Sequence, residues 1–376
     1  MSRFNSVGRI LLLSWLGTAP AFSQSDSKEL DVFGYFQGAF DHTARSALHK
    51  TQNTFILQQL NCFLSKPISA RFGAFVNFEL TNSFSSERNW GSFNLEEAWV
   101  KYYYRNSLTL KGGLLIPTFN NLNEIKNRTP LLSYIYRPIV YEASISEMFT
   151  ISDYLPERAF LQAYGFVAAG QTKVDYAIYV GNSETPFLNS TTGNYARRGV
   201  DTTLYKLVGG RLGVRTGALK AGVSVTFDRD NQNALGLGAV RRTRIGADMS
   251  YRLARFTGEG EVIVVSNRLT SEQSQRLAFI SRLSPQVGNS LDKLFYYGCL
   301  NCDMTDRLFA YARYDYVEDK LIGALEAGLV GQTFGGGYRA NDAVVLKAQF
   351  FRIRMHENPV LHFQEDHYLA AVSVFF

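Results

Sequence analysis

Apolar and polar residues alternate with a period of two along most of this chain, and uninterrupted apolar runs are short. In residues 71–81, Phe72, Ala74, Val76, Phe78 and Leu80 share one face, while Arg71, Gly73, Phe75, Asn77, Glu79 and Thr81 share the other. Residues 218–228 repeat the pattern, with Leu219, Ala221, Val223, Val225 and Phe227 set against Lys220, Gly222, Ser224, Thr226 and Asp228. Val174, Tyr176, Ile178 and Val180 do the same in residues 172–182. Successive side chains of a strand point to opposite faces, so each segment predicts a strand with one apolar and one wet side.

About sixteen such segments follow one another: 30–41, 54–64, 71–81, 93–104, 108–116, 159–169, 172–182, 204–214, 218–228, 243–253, 257–267, 294–303, 308–317, 327–338, 343–355 and 367–376. Short turns alternate with longer loops between them, as expected when the short turns face one side of a membrane. In 343–355 the apolar parity passes from Val344, Leu346, Ala348 and Phe350 to Phe351, Ile353 and Met355, which predicts a β-bulge near Phe350. The last segment places Tyr368, Ala370, Val372, Val374 and Phe376 on one face and ends on an aromatic. That ending resembles the C-terminal assembly signal of Gram-negative outer-membrane proteins. The expected fold is therefore all-β, a transmembrane antiparallel barrel of about sixteen strands with lipid outside and water inside.

Residues 1–23 read as a cleaved signal peptide: basic Arg3 and Arg9, an apolar core at 10–16, and small Ala21 and Ser23 near the expected cleavage site. The barrel then occupies 24–376, in the outer membrane of a bacterial cell. No Cys follows the apolar core, which disfavours a lipoprotein. No segment has the run of apolar residues that a membrane helix requires.

Composition agrees, with 21 Tyr, 28 Phe and 31 Gly beside 9 Pro. Clusters such as Tyr102 to Tyr104, and Tyr314 with Tyr316, read as interfacial girdles. The formal charge of +6 falls to about +4 without Arg3 and Arg9, too little to argue for nucleic acid as a partner. No phosphate-binding glycine loop or zinc-finger spacing occurs, so no cofactor and no metal is expected.

A barrel of this width encloses water rather than a side-chain core. The longest irregular stretch, 117–157, is the third loop on the side opposite the short turns. The chain resembles trimeric porins of the phosphate-selective and general-diffusion type, most specifically in Leu110-Lys111-Gly112-Gly113-Leu114-Leu115-Ile116-Pro117 and in the Gly336-Gly337-Tyr338-Arg339-Ala340-Asn341-Asp342 hairpin with the closing strand. The resemblance implies a third loop folded inward to narrow the channel, a homotrimer, and passive diffusion of small hydrophilic solutes or anions without catalysis. The candidates for the constriction are Lys126, Arg128 and Arg137, opposed by Glu124, Glu142 and Glu147. Phosphate-selective members use a dense arginine ladder with clustered lysines, and no such lysine cluster is present.

Strand parity projects further charges into the lumen. The candidate lining cations are Arg211, Arg215, Arg244, Arg313, Lys347, Arg352 and Arg354, joined by Arg71, Lys101, Lys173, Lys220 and Arg252. Glu79, Glu97, Asp175, Asp228, Asp248, Glu259, Glu261 and Asp315 are the acidic counterparts, able either to stiffen the wall as ion pairs or to leave a weak anion preference.

Two other functions compete. A barrel hydrolase would need a nucleophile and base, but His42, His49, His356, His362 and His367 all fall in or beside outer loops, outside any nucleophile motif. A non-conducting surface barrel could instead bind an external ligand or partner through loops such as 182–201. Cys299 and Cys302 form a C-x-x-C near a short turn, and a disulfide between them requires the turn to begin near Asn301. Free thiols are the other reading, and Cys62 has no evident partner.

Overall fold

The computed structural model describes residues 29–45, 52–81, 92–126, 128–142, 154–183, 187–188, 195–196, 204–231, 237–281, 289–319, 327–356 and 364–376. The expected signal peptide, Glu147, His49 and His362 lie outside these residues, as does most of 182–201.

The strands are β1 (Asp31–Arg45), β2 (Gln52–Pro67), β3 (Phe72–Thr81), β4 (Ser92–Arg105), β5 (Leu108–Leu115), β6 (Ala159–Ala169), β7 (Thr172–Asn182), β8 (Phe187–Leu188) and β9 (Tyr195–Ala196). They continue as β10 (Lys206–Thr216), β11 (Leu219–Asn231), β12 (Ala239–Leu253), β13 (Phe256–Arg268), β14 (Ser290–Asp303), β15 (Leu308–Asp319), β16 (Ala327–Arg339), β17 (Val344–His356) and β18 (Gln364–Phe375). All but β8 and β9, which form a separate ribbon, join one closed barrel of sixteen strands. Neighbours are antiparallel throughout, and β7 pairs directly with β10. A helix, α1 (Ser271–Ser281), sits between β13 and β14 and packs Leu277 against Leu237, Val240 and Leu269. No described helix is long and apolar enough to cross a membrane.

Closure removes every sheet edge, the condition for a sheet to enter hydrocarbon. Strand β18 meets β1 in the register Tyr35↔Phe375. Phe376 N and O exchange hydrogen bonds with Gly34 at 3.0 and 2.8 Å. A side chain at Gly34 would meet the Asn61 carbonyl of β2 first and then the Phe376 ring, so the glycine lets both the neighbouring strand and the terminal aromatic come close.

The alternation expected for β3, β7, β11 and β18 is observed. Val223, Phe227, Ile178, Leu80, Tyr368 and Val372 are exposed on the outside, whereas Asn77, Glu79, Ser224, Thr226 and Ser373 are buried on the inside. A closed barrel with an apolar exterior and a polar interior is a transmembrane arrangement. Aromatic pairs ring the exterior, including Phe40 with Phe55 at 4.9 Å and Tyr296 with Tyr316 at 5.0 Å between centroids.

Strand β17 departs from expectation. Its registers with β16 and β18 run without a shift, so there is no bulge at Phe350. Lys347, Gln349, Phe351 and Ile353 are all buried on the inner face. Arg352 and Arg354 consequently point outward and do not line the lumen. Arg352 pairs instead with Asp366 of β18, at 2.7 and 2.9 Å. Of the two readings left open for Cys299 and Cys302, the structure has the free thiols. Strand β14 continues through Asp303, placing Cys299 inside and Cys302 outside, and both are free thiols.

Candidate functional site

The described residues of the connection from β5 to β6 lie inside the barrel and touch its wall on several sides. Its first residues stay near their own wall, where Gln162 Nε2 donates to Thr118 Oγ1 at 3.0 Å. Asn120 then reaches β11, its backbone N–H donating to Ser224 Oγ at 2.9 Å. The turn there has φ 50° at Asn120, a left-handed conformation that Asn tolerates better than most residues. Glu261 of β13 accepts from the Asn121 and Leu122 N–H groups at 3.1 and 2.7 Å, and from the Tyr141 hydroxyl at 2.5 Å.

Farther along, the loop docks on β1 and β13 to β18. Phe119, Leu122, Tyr134, Ile135, Ile139 and Tyr154 pack on the inward side chains Ile263, Phe295, Tyr297, Phe351 and Ile353 in one apolar cluster. This explains why the inner face of β17 turns apolar beyond Gln349. Its Phe351 and Ile353 meet the loop rather than water. Burial pushes the Tyr134, Tyr136 and Tyr141 hydroxyls well above their ordinary range, so they stay neutral at physiological pH.

Polar side chains of the wall tie down the loop backbone. Gln349 Oε1 accepts from the Ile135 and Tyr136 N–H groups at 2.7 and 3.1 Å. Arg313 Nη1 and Nη2 donate to the Tyr136 and Arg137 carbonyls at 2.8 and 3.0 Å, while its Nε meets Asp315 at 2.8 Å. Lys347 Nζ donates to the carbonyls of Thr129 and Pro130. Arg313 and Lys347 face inward, where the loop covers them and they act as its anchors.

The remaining candidates occupy two sides of the loop. Toward β1 to β4, Arg137 is held by Glu142 at 3.4 Å and by the Lys126 carbonyl at 3.0 Å. Arg128 is half-buried just before the 3-10 turn Thr129–Leu131, its N–H donating to the Ile125 carbonyl at 2.8 Å. Glu79 is buried on β3, where it accepts from Gln59 Nε2 at 3.5 Å, and Arg158 bonds Glu96 Oε2 at 3.2 Å. Glu124 is half-buried in the short 3-10 turn Asn123–Ile125 of the loop. Toward β7 to β12, Arg211 joins Asp248 at 2.7 Å and Asp175 at 3.0 Å, Arg215 joins Asp175 at 3.0 Å, and Arg244 joins Asp228 at 3.2 Å.

Near the short turns, Lys173, Arg215 and Lys220 stand directly opposite one another on the inner faces of β7, β10 and β11. Lys101 and Lys111 are likewise opposed on β4 and β5. Sequence reasoning missed Lys111, whose ammonium lies 4.6 Å from the Trp99 ring centre and 5.0 Å from that of Tyr164. It also missed Arg242, which pairs with Asp228 at 2.6 Å. Arg242 shares parity with Arg244, so extending that segment by one residue would have found it.

No family model matches this chain, and no curated relative does. Solved structures do. An anion-selective porin from Comamonas acidovorans aligns at TM-score 0.62 and 13% identity, over 93% of this chain and 99% of that one. The outer membrane channel DcaP of Acinetobacter baumannii aligns at 0.59 and 12%, over 93% and 97%. OmpF of Salmonella typhi, in complex with daunomycin, aligns at 0.58 and 11%, over 93% and 98%. The fold is a porin-like barrel. At such identities the likeness concerns architecture, and the side chains that set permeation are this chain's own.

Proposed function

We propose that this porin-like barrel is an outer-membrane channel for passive diffusion of small hydrophilic solutes, narrowed by the 116–158 connection and weakly selective for anions. The observation that carries this reading is the loop lying inside a charge-lined lumen while held at Ser224, Glu261, Arg313 and Lys347. A permeating ion meets paired charges on the β7 to β12 side, which stiffen the wall and largely cancel in field. The opposed cations Lys173, Arg215 and Lys220 leave a positive mouth at the short-turn end, which favours anions entering there. One architectural neighbour is anion-selective by name, and OmpT of Vibrio cholerae occurs in a trimer form, in keeping with a homotrimer here.

The test is single-channel recording of the refolded protein in planar bilayers, with reversal potentials under a KCl gradient. Ohmic steps with a reversal potential of anion sign are expected. A folded barrel without conductance would leave binding through its outer loops as the reading to pursue.

A further inference from the structure

Four cations form a row on the outside of the barrel. Arg229 of β11 stands directly opposite Arg241 of β12, and Arg241 directly opposite Arg268 of β13. Lys206 of β10 continues the row, two residues beyond the Val208↔Phe227 pair in the same register. All four share the outward parity of Val208, Phe227, Ile245 and Val264, which are exposed on the same strands. The row lies at the long-loop ends of these strands, far from the two-residue turns at 217–218 and 254–255.

Like charges directly opposite one another across an antiparallel pair destabilise it. Among the described residues, neither Arg241 nor Arg268 has an ion pair or side-chain hydrogen bond to offset this. The Arg229 guanidinium stacks on Tyr205, 3.5 Å from the ring centre, which fixes it without neutralising it. A nearby outward carboxylate, Asp292 of β14, sits one row lower and accepts from the Ser266 and Ser290 hydroxyls at 2.7 and 3.1 Å.

Immediately below the cations come Thr243 and Ser266, and then the apolar surface of Ile245, Val264, Val223 and Val262. Cations at the upper margin of a lipid-facing surface are at headgroup depth, where arginine is tolerated and where an anion on the same lipid that covers the surface can reach it.

We propose that Arg229, Arg241 and Arg268, with Lys206 at the edge, bind the phosphorylated headgroup of an outer-leaflet lipid whose acyl chains lie on the apolar face beneath. The proposal rests on the membrane orientation of the channel reading, though not on conduction. Guanidinium groups suit it because each can present two parallel donors to a phosphate.

The experiment titrates the refolded full chain in detergent with lipid A carrying both phosphates, with the same lipid dephosphorylated, and with inorganic phosphate, counting bound lipid by native mass spectrometry. Retention of the phosphorylated lipid alone, without competition from inorganic phosphate, is expected. The R229Q/R241Q/R268Q variant should weaken that binding on the order of 100-fold, about fivefold per arginine. Should the triple variant fail to show the heat-modifiable migration of a folded barrel, R241Q and R268Q singly are each expected to lose about fivefold.

Equal binding of both lipids, displacement by inorganic phosphate, or undiminished binding by the variants would each overturn the proposal. So would a variant that keeps its lipid but loses association with a second copy of the chain, since the row would then be a subunit contact. Because the row lies outside the lumen, variant channels should keep wild-type conductance. A barrel that binds lipid without conducting would therefore overturn the channel reading and leave this one standing.

Discussion

The Lys347 ammonium donates to the Pro130 carbonyl at 3.1 Å, inside the barrel and beneath the loop. Its other acceptors are Gln37 Oε1 at 3.0 Å and the carbonyls of Thr129 and Tyr134 at 3.3 and 3.5 Å, all of them neutral. The charge is thus held by dipoles, and what it contributes is loop position.

Replacing Lys347 by Met keeps most of the side-chain volume but strands those carbonyls, at about 1–3 kcal/mol for each acceptor left unsatisfied, partly offset by no longer burying a charge. The barrel ladder is untouched. The variant should fold and remain heat-modifiable, while the loop segment around 129–136 exchanges its amide hydrogens faster and single-channel records become noisier. Unchanged exchange in that segment would show that the apolar cluster alone holds the loop.

Arg313 should be the more sensitive anchor. Its side chain and that of Asp315 are both fully buried, and the guanidinium also bonds two loop carbonyls. Arg313→Met leaves a buried carboxylate without its partner, which typically costs about 3–5 kcal/mol. Thermal unfolding of the barrel should therefore fall well below wild type, and R313M/D315L should recover much of the loss. If the double variant is no more stable than the single, loop anchoring outweighs the ion pair.

The lipid-facing half of the barrel was legible because one rule governs it: the wall is apolar where it meets hydrocarbon. Leu219 to Phe227 and Tyr368 to Phe376 follow that rule residue by residue. The inner half was legible only where the lumen is wet. Along β17 the inward Phe351 and Ile353 are apolar because a distant loop packs on them. A reading that equates apolar with outward must then invert that strand, and it carried Arg352 and Arg354 to the wrong side. Lys347 and Arg313 show the complementary blind spot. Parity points them inward, but nothing local reveals that Pro130 or Tyr136 covers them, since such contacts span 217 and 177 residues of sequence.

Selectivity separates inward from outward cations. Replacing Lys173 and Lys220 by Gln removes two of the three opposed charges at the short-turn mouth, so the reversal potential should move toward cation preference, most visibly at low salt. The outward pair supplies the control: R352Q/R354Q should leave the reversal potential where it was. Arg211→Gln should shift it farther than either lysine alone, because Asp248 and Asp175 both lose their Arg211 contacts. Equal shifts from the inner and outer variants would mean that the whole-barrel field, rather than the lining, sets selectivity.

Gly34 and Phe376 make closure testable. The glycine sits where a side chain would collide with the terminal ring, and its backbone exchanges both hydrogen bonds with Phe376. Gly34→Val should press on the Asn61 carbonyl of β2, displace the ring and disturb the last rung of the β1–β18 seam, slowing refolding into detergent and lowering the heat-modifiability temperature. Phe376→Ala in the same background should add little, since the ring has already been displaced. Additive losses would mean that Phe376 contributes elsewhere than over Gly34.

The two cysteines of β14 differ in environment rather than in bonding. Cys299 is buried on the inner face beside Asn301, whose Nδ2 lies 3.5 Å from its sulfur, whereas Cys302 faces outward, across from Ala310 and Phe256. Both should be recovered as thiols by mass spectrometry under non-reducing conditions, and a reductant should leave thermal stability unchanged. In the folded barrel a membrane-soluble maleimide should label Cys302 well ahead of Cys299, and unfolding should abolish the difference. A single mass shift of two hydrogens on the peptide containing both would instead require the strand to end before Asn301, with the turn displaced from 304–307.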